Sequence, residues 1–210
     1  MNNADGAQGG SISIRRYRPG DDILSVYRDS WSALKRSRGG LHPDEVVERK
    51  IRRSGASLER WLLHDAEALV AESGGKVVGF CVLSGNRMNR LTRSSYCRCL
   101  YVMRGYQRNR LRVGTELFRS MERAARAAGF SKIFTYSTPE SVPFYEKMGV
   151  IFFPRFKERT PDSPVALSYG ELSLGSRTLF PIEPFISELS LSHRLYLRVL
   201  RAFGKSPPDR

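Results

Sequence analysis

Between residues 96 and 150 strand and helix patterns alternate at close range, and this alternation narrows the fold class more than any other feature of the chain. Cys97-Arg98-Cys99-Leu100-Tyr101-Val102 reads as a short apolar strand, followed by a loop that carries Arg104, Arg108, Arg110 and Arg112. Val113, Leu117, Met121, Ala125 and Ala128 then fall on one helical face, and Gly129 stops that helix. A second strand at 132–136 leads to a short helix at 139–148, ended by Gly149, and a further strand at 150–153. Strands joined through a helix must have that helix laid across a sheet face, so a layered α/β arrangement follows.

The flanking segments fit the same plan. Ser11-Ile12-Ser13-Ile14-Arg15 alternates as a strand does and ends at Pro19-Gly20. Asp21 or Asp22 can cap a helix reaching about Lys35, with Ile23, Val26, Tyr27, Trp31 and Leu34 at helical spacing. Gly39-Gly40 breaks it, and a second helical pattern starts at His42-Pro43-Asp44 and runs to about Leu63, interrupted at Gly55. Two apolar runs, 68–71 and 76–83, flank Gly74-Gly75 as a hairpin does, and a last strand is expected at 165–174. The predicted fold is a mixed, mostly antiparallel sheet with helices on both faces. Residues 1–10 read as a loose polar tail, 11–175 as one domain, and 176–210 as a helical extension.

That extension carries Phe185, Ile186, Leu189, Leu195, Leu197, Leu200 and Phe203 after Pro184. So much apolar surface is expected to dock, either on its own domain or on a sister subunit, which leaves a homodimer open. Arg194, Arg198 and Arg201 beside it offer membrane-surface attachment as the alternative. No apolar run in the sequence approaches the roughly 18 residues of a membrane span. Cys81, Cys97 and Cys99 are an odd count without metal-like spacing, which points to reduced thiols in a cytoplasm and to no metal. A net charge of +14 favours an anionic partner.

The loop after Val102 is the place for such a partner. It ends where a helix begins, so free N–H groups and the positive end of the dipole point outward, a setting for a pyrophosphate. Its arginines could pair with phosphate oxygens; standing alone, they read equally well as a solvated surface.

The segment Pro143-Phe144-Tyr145-Glu146-Lys147-Met148-Gly149-Val150 resembles the "FYEKLGF" stretch of the GNAT N-acyltransferase superfamily. Ser137-Thr138-Pro139-Glu140-Ser141 stands where that family has a polar turn, and Gly75-Lys76-Val77-Val78-Gly79-Phe80 is similar to its "GkvvGf" hairpin. The resemblance spans about residues 12–153. It implies a GNAT-like sheet and acetyl-CoA, or another acyl-CoA, as cofactor, with direct transfer of the acyl group to an amine. Tyr145 takes the place of the acid that protonates the departing thiolate. The cofactor-binding positions it implies are Leu100, Tyr101, Val102, Gln107, Arg108, Asn109, Arg110, Arg112, Val113, Gly114, Thr115, Thr138 and Ser141.

The family's loop carries Gln or Arg, two residues, Gly, one residue, then Gly or Ala. Counting back from Gly129 puts Asn109, Arg112 and Gly114 at these places; counting forward from Val102 puts Gln107, Arg110 and Arg112 there. The first count is preferred, because a helix of fixed length constrains its start better than a loop does. The acceptor grip falls on about residues 30–53, with Trp31 and His42 as its candidate contacts. The basic, aromatic character of that segment favours an anionic acceptor, small or macromolecular. No general base stands out among His42, Asp44, Glu45 and Glu140. Cys97 and Cys99 are expected on one strand face as buried thiols. The competing reading is a GNAT-fold protein without catalysis that binds RNA or another anionic partner through its basic surface.

Overall fold

The computed structural model describes residues 11–37, 52, 62, 66–84, 93–107, 109–158 and 166–175. The expected N-terminal tail, His42, Arg108, most of the second helical pattern and the extension after 176 lie outside the described residues. By its internal contacts the chain forms two units, residues 1–135 with 173–176, and residues 136–172 with 177–210.

In the first unit the elements run β1 (Ile12–Arg16), α1 (Ile23–Ser37), β2 (Ala66–Ser73), β3 (Lys76–Ser84), β4 (Ser94–Val102), a 3-10 turn (Arg104–Tyr106), α2 (Val113–Ala127) and the start of β5 (Lys132–Ser137). The first four strands lie side by side and antiparallel. β5 then pairs with β4 in parallel, so the sheet is mixed and mostly antiparallel. The β2–β3 hairpin turns on Gly74 and Gly75, both with positive φ (+56° and +76°), the conformation a two-residue turn needs.

Strand alternation assigns the two helices to opposite faces. Phe80 and Val82 of β3, with Ala68 and Val70 opposite them on β2, pack into one cluster with Ile23, Val26 and Tyr27 of α1 and with Leu62. The residues between them look the other way. A Cβ on Gly79 would lie 2.9 Å from Leu117 Cδ1 of α2, and Cys81 Sγ lies 3.8 Å from the Leu117 carbonyl. α2 buries Val113, Leu117, Met121 and Ala125 of the expected stripe and adds Phe118, while Ala128 falls at the C-cap, beyond the last helical turn that packs on the sheet, and is exposed.

Local chemistry sets the helix ends. Asp22 caps α1, its Oδ1 accepting from the Ser25 N–H at 3.1 Å, and hydrogen bonding from the Ser25 side chain and then its main chain holds the carboxyl below the usual range. Arg15 grips both Asp21 oxygens at 2.8 Å and Glu72 Oε2 at 2.9 Å, joining β1, the following turn and β2. That guanidinium lowers the Asp21 pKa. At the far end of α2, Gly129 has φ +80°, and Phe130 N–H bonds Ala125 O while Gly129 N–H bonds Arg126 O. These are the two bonds of a Schellman stop.

The two strand cysteines depart from expectation. β4 pairs Cys99 with Val82 but Cys97 with Leu83, leaving Arg98 as an extra residue in a bulge. Cys99 therefore packs on the α1 face and Cys97 turns to the opposite one, rather than both sharing a face. Burial raises the pKa of Cys81 and of Cys99, so both stay protonated thiols near neutral pH.

In the second unit α3 (Val142–Lys147) precedes β6 (Ile151–Glu158) and β7 (Leu167–Ser173), which pair antiparallel. Tyr169 is fully buried among the rings of Tyr136 and Phe153, and its hydroxyl donates to Glu171 Oε1 at 2.5 Å.

Candidate functional site

β4 delivers its last peptide groups in a fixed orientation. Met103 N–H bonds Val78 O at 2.8 Å, and in an antiparallel ladder the bonding direction alternates residue by residue. The N–H groups of Tyr101 and Met103 therefore point at β3, while those of Leu100 and Val102 point away from it. The parallel ladder with β5 runs from Ser94 and Lys132 to Cys97 and Thr135, and β4 continues five residues past it to Val102. Of the three strand residues expected at the site, Leu100 and Val102 thus present main-chain donors. Tyr101 instead packs its ring edge-on to Tyr27 at 5.1 Å and against Phe80 at 5.5 Å.

Beyond the strand the backbone is pinned by side chains. Val102 O accepts from Gln107 Nε2 at 2.8 Å and from the buried Ser30 Oγ at 3.3 Å. Arg104 N–H donates to Asp29 Oδ2 at 2.5 Å, starting the 3-10 turn. Asn109 Oδ1 accepts from Leu111 N–H at 3.1 Å, and Asn109 O from Arg112 N–H at 3.3 Å.

Arg112 then takes the left-handed conformation, φ 49° and ψ 38°, immediately before α2. For a residue with a Cβ this costs roughly 1–2 kcal/mol, which is why glycine is the usual occupant. The helix start at Val113 agrees with the count back from Gly129: an arginine stands where the family pattern has its first glycine and adopts a conformation glycine favours. Glu116 N–H bonds Arg112 O, and among the described residues nothing accepts from the N–H groups of Val113, Gly114 and Thr115. Arg110 and Arg112 are exposed around them. The result is a helix N-terminus with three donors and two cations, suited to an anion.

In the second unit the turn before α3 is closed by Ser141 N–H on Thr138 O at 2.9 Å and by the Thr138 and Ser141 hydroxyls at 3.1 Å. α3 ends at Gly149, φ +89°, with Gly149 N–H on Glu146 O and Val150 N–H on Tyr145 O. The Met148-Gly149-Val150 segment is thus a second Schellman stop, its long bond anchored on Tyr145 itself. Tyr145 is 7% exposed, with the Phe144 ring edge-on at 5.2 Å.

Trp31 lies on α1, and its side chain, like His42 and Arg108, is outside the described residues. Sequence reasoning missed Asp29 and Ser30. Their available signal was helical phase: Ser30 sits seven residues after Ile23, on the buried stripe with Val26 and Tyr27.

Solved structures similar to this chain include PaiA N-acetyltransferase from Thermoplasma acidophilum in complex with coenzyme A, 22% identical over 78% of this chain and 99% of that one, with TM-score 0.62. YncA from Salmonella typhimurium with acetyl-CoA is 16% identical over 81% of this chain and 98% of that one, TM-score 0.56. Ribosomal-protein-alanine N-acetyltransferase from Brucella melitensis is 18% identical over 77% and 99%, TM-score 0.57. At these identities the likeness is one of fold. No curated protein matches the chain. The model of the acetyltransferase (GNAT) family matches residues 23–150, more than half of the sequence, and the chain belongs to that family.

Proposed function

We propose that this protein moves an acyl group, acetyl in the first instance, from coenzyme A to an amine by direct transfer. The observation that carries the reading is the left-handed Arg112 at the head of α2, which preserves a glycine-like backbone and leaves three N–H groups to receive phosphate oxygens. Those donors, with Arg110 and Arg112, fit the pyrophosphate of coenzyme A. Acyl-CoA is the donor implied by the family, and the PaiA and YncA structures hold coenzyme A and acetyl-CoA.

When bound, acyl-CoA supplies the acyl group activated as a thioester. The N–H groups of Leu100 and Val102, turned away from β3, are the donors for the carbonyl oxygen as charge develops on it. Tyr145 holds a proton on its phenol and gives it to the leaving sulfur, following the resemblance of residues 143–150 to the family segment. The acceptor is an amine carried on an anionic molecule, as the basic segment at 30–53 favours.

Ligand linkage tests the donor. Acetyl-CoA at about 100 times its dissociation constant should raise unfolding free energy by about 2.7 kcal/mol, read as a higher thermal midpoint. An unchanged midpoint at millimolar acetyl-CoA would count decisively against the reading. Arg112→Gly is expected to move two quantities in opposite directions. Relief of the left-handed backbone outweighs the entropy glycine loses, so the free protein gains ~0.5–1 kcal/mol in chemical denaturation. Coenzyme A affinity by calorimetry drops about fivefold for want of one cation, with a weaker salt dependence. Unchanged affinity would show that the guanidinium takes no part.

A further inference from the structure

Asp29 stands out in a protein of net charge +14: among the described residues its carboxylate makes no ion pair, and it accepts from the main-chain N–H of Arg104 at 2.5 Å. The next residue, Ser30, is buried and donates to the carbonyl of Val102, which also takes a bond from Gln107. Two consecutive residues of α1 thus hold two points of the backbone just as it leaves β4, more than 70 positions later in the chain. Tyr27, one turn earlier, sets its ring against Tyr101. Met103, the residue bracketed by these contacts, directly follows Val102 and opens the loop that ends in the three free donors of α2.

We propose that Asp29 and Ser30 are positioning residues: they brace α1 against the end of β4 and hold the loop in the shape that receives coenzyme A. The proposal rests on the acyl-CoA reading. An acidic side chain beside an anion-binding loop opposes the ligand through its charge. Its service is therefore geometric, fixing the turn at Arg104, and a neutral acceptor of the same shape should serve nearly as well. Loosening the turn makes the bound state carry the ordering cost that the brace otherwise meets in the free protein.

The experiment is coenzyme A binding by calorimetry on the full chain, with hydrogen exchange of the free protein beside it. Asp29→Ala should weaken coenzyme A about tenfold and speed exchange of the Arg104 amide. Asp29→Asn keeps an oxygen for that N–H and should stay within about threefold of the wild type. Ser30→Ala removes the α1 hydroxyl that donates to the Val102 carbonyl; it should weaken coenzyme A severalfold against the wild type, which keeps the test open if Asp29→Ala folds poorly. Wild-type affinity in Asp29→Ala, or an equal loss in Asp29→Asn, would overturn the brace while leaving acyl transfer intact. Wild-type protein that binds no coenzyme A would instead remove the acyl-CoA reading, and the inference with it.

Discussion

Tyr145→Phe should lower turnover of acetyl-CoA by on the order of a hundredfold or more, the range that loss of a placed general acid produces. The substitution is narrow. Tyr145 is buried, so its ring supplies packing that phenylalanine retains, and the bond from Val150 N–H lands on the Tyr145 main-chain carbonyl, which does not change. Folding stability should therefore shift by no more than about 1 kcal/mol. kcat and kcat/KM should fall together while the dissociation constant for coenzyme A stays put, the signature of an interaction made only in the transition state. Released thiol, followed under saturating acetyl-CoA, reads the rate. A phenylalanine variant with full turnover would leave Tyr145 as a packing residue of the α3 stop and move the acid elsewhere.

Gly79→Val should be strongly destabilising. A Cβ at this position would sit 2.9 Å from Leu117 Cδ1, 3.0 Å from the Tyr101 carbonyl oxygen and 3.2 Å from Val113 Cγ1. The carbonyl is fixed in the β3–β4 ladder, and Leu117 and Val113 are fully buried, so none of the three neighbours can step aside cheaply. Overpacking of this kind costs typically 1–3 kcal/mol, and valine adds two methyls to the same space, so a loss of ~3 kcal/mol or more is expected. Against a total of about 5–15 kcal/mol that loss is severe. Val113 opens α2, so lifting the helix off β3 also shifts the donors at 113–115, and the surviving folded protein should bind coenzyme A less well. Chemical denaturation of Gly79→Val beside Gly79→Ala checks the steric account, which predicts a smaller loss for alanine. A valine variant as stable as the wild type would mean that α2 does not rest on this stretch of β3.

The parts of the fold legible in the sequence were those with a period or a stop. The stripe from Val113 to Ala125 and the left-handed Gly129 give α2 its length to within a residue, and Gly74-Gly75 marks the hairpin. Edges without such punctuation were read short. β4 begins at Ser94 because small polar residues there are buried in the parallel ladder, and β6 runs to Glu158 through a proline and two cations. The bulge at Arg98 could not be seen, because an extra residue in a strand leaves the composition unchanged and alters only the pairing. At the site, the loop's charge and the heptapeptide were visible as residue types. That Arg112 would adopt a left-handed backbone was not, since arginine carries no such preference. Helical phase marks Ser30 as buried but not what it holds, and Asp29 was hidden because its partner is a main-chain N–H far along the chain, which no spacing rule connects.

The extra residue at Arg98 also works as a phase shifter. Upstream of it, β4 keeps step with β5; downstream, the same strand runs half a pleat out of step, and this sends the Tyr101 ring under α1 and the Leu100 side chain to the other side. Deleting Arg98 would therefore flatten the bulge and leave each downstream residue opposite the neighbour it faces now, whereas inserting a residue just beyond Cys99 would turn the Tyr101 ring away from α1 and toward the α2 side. The number of residues between Cys99 and Val102 is in this sense part of the strand's message, and that stretch should tolerate substitution far better than insertion.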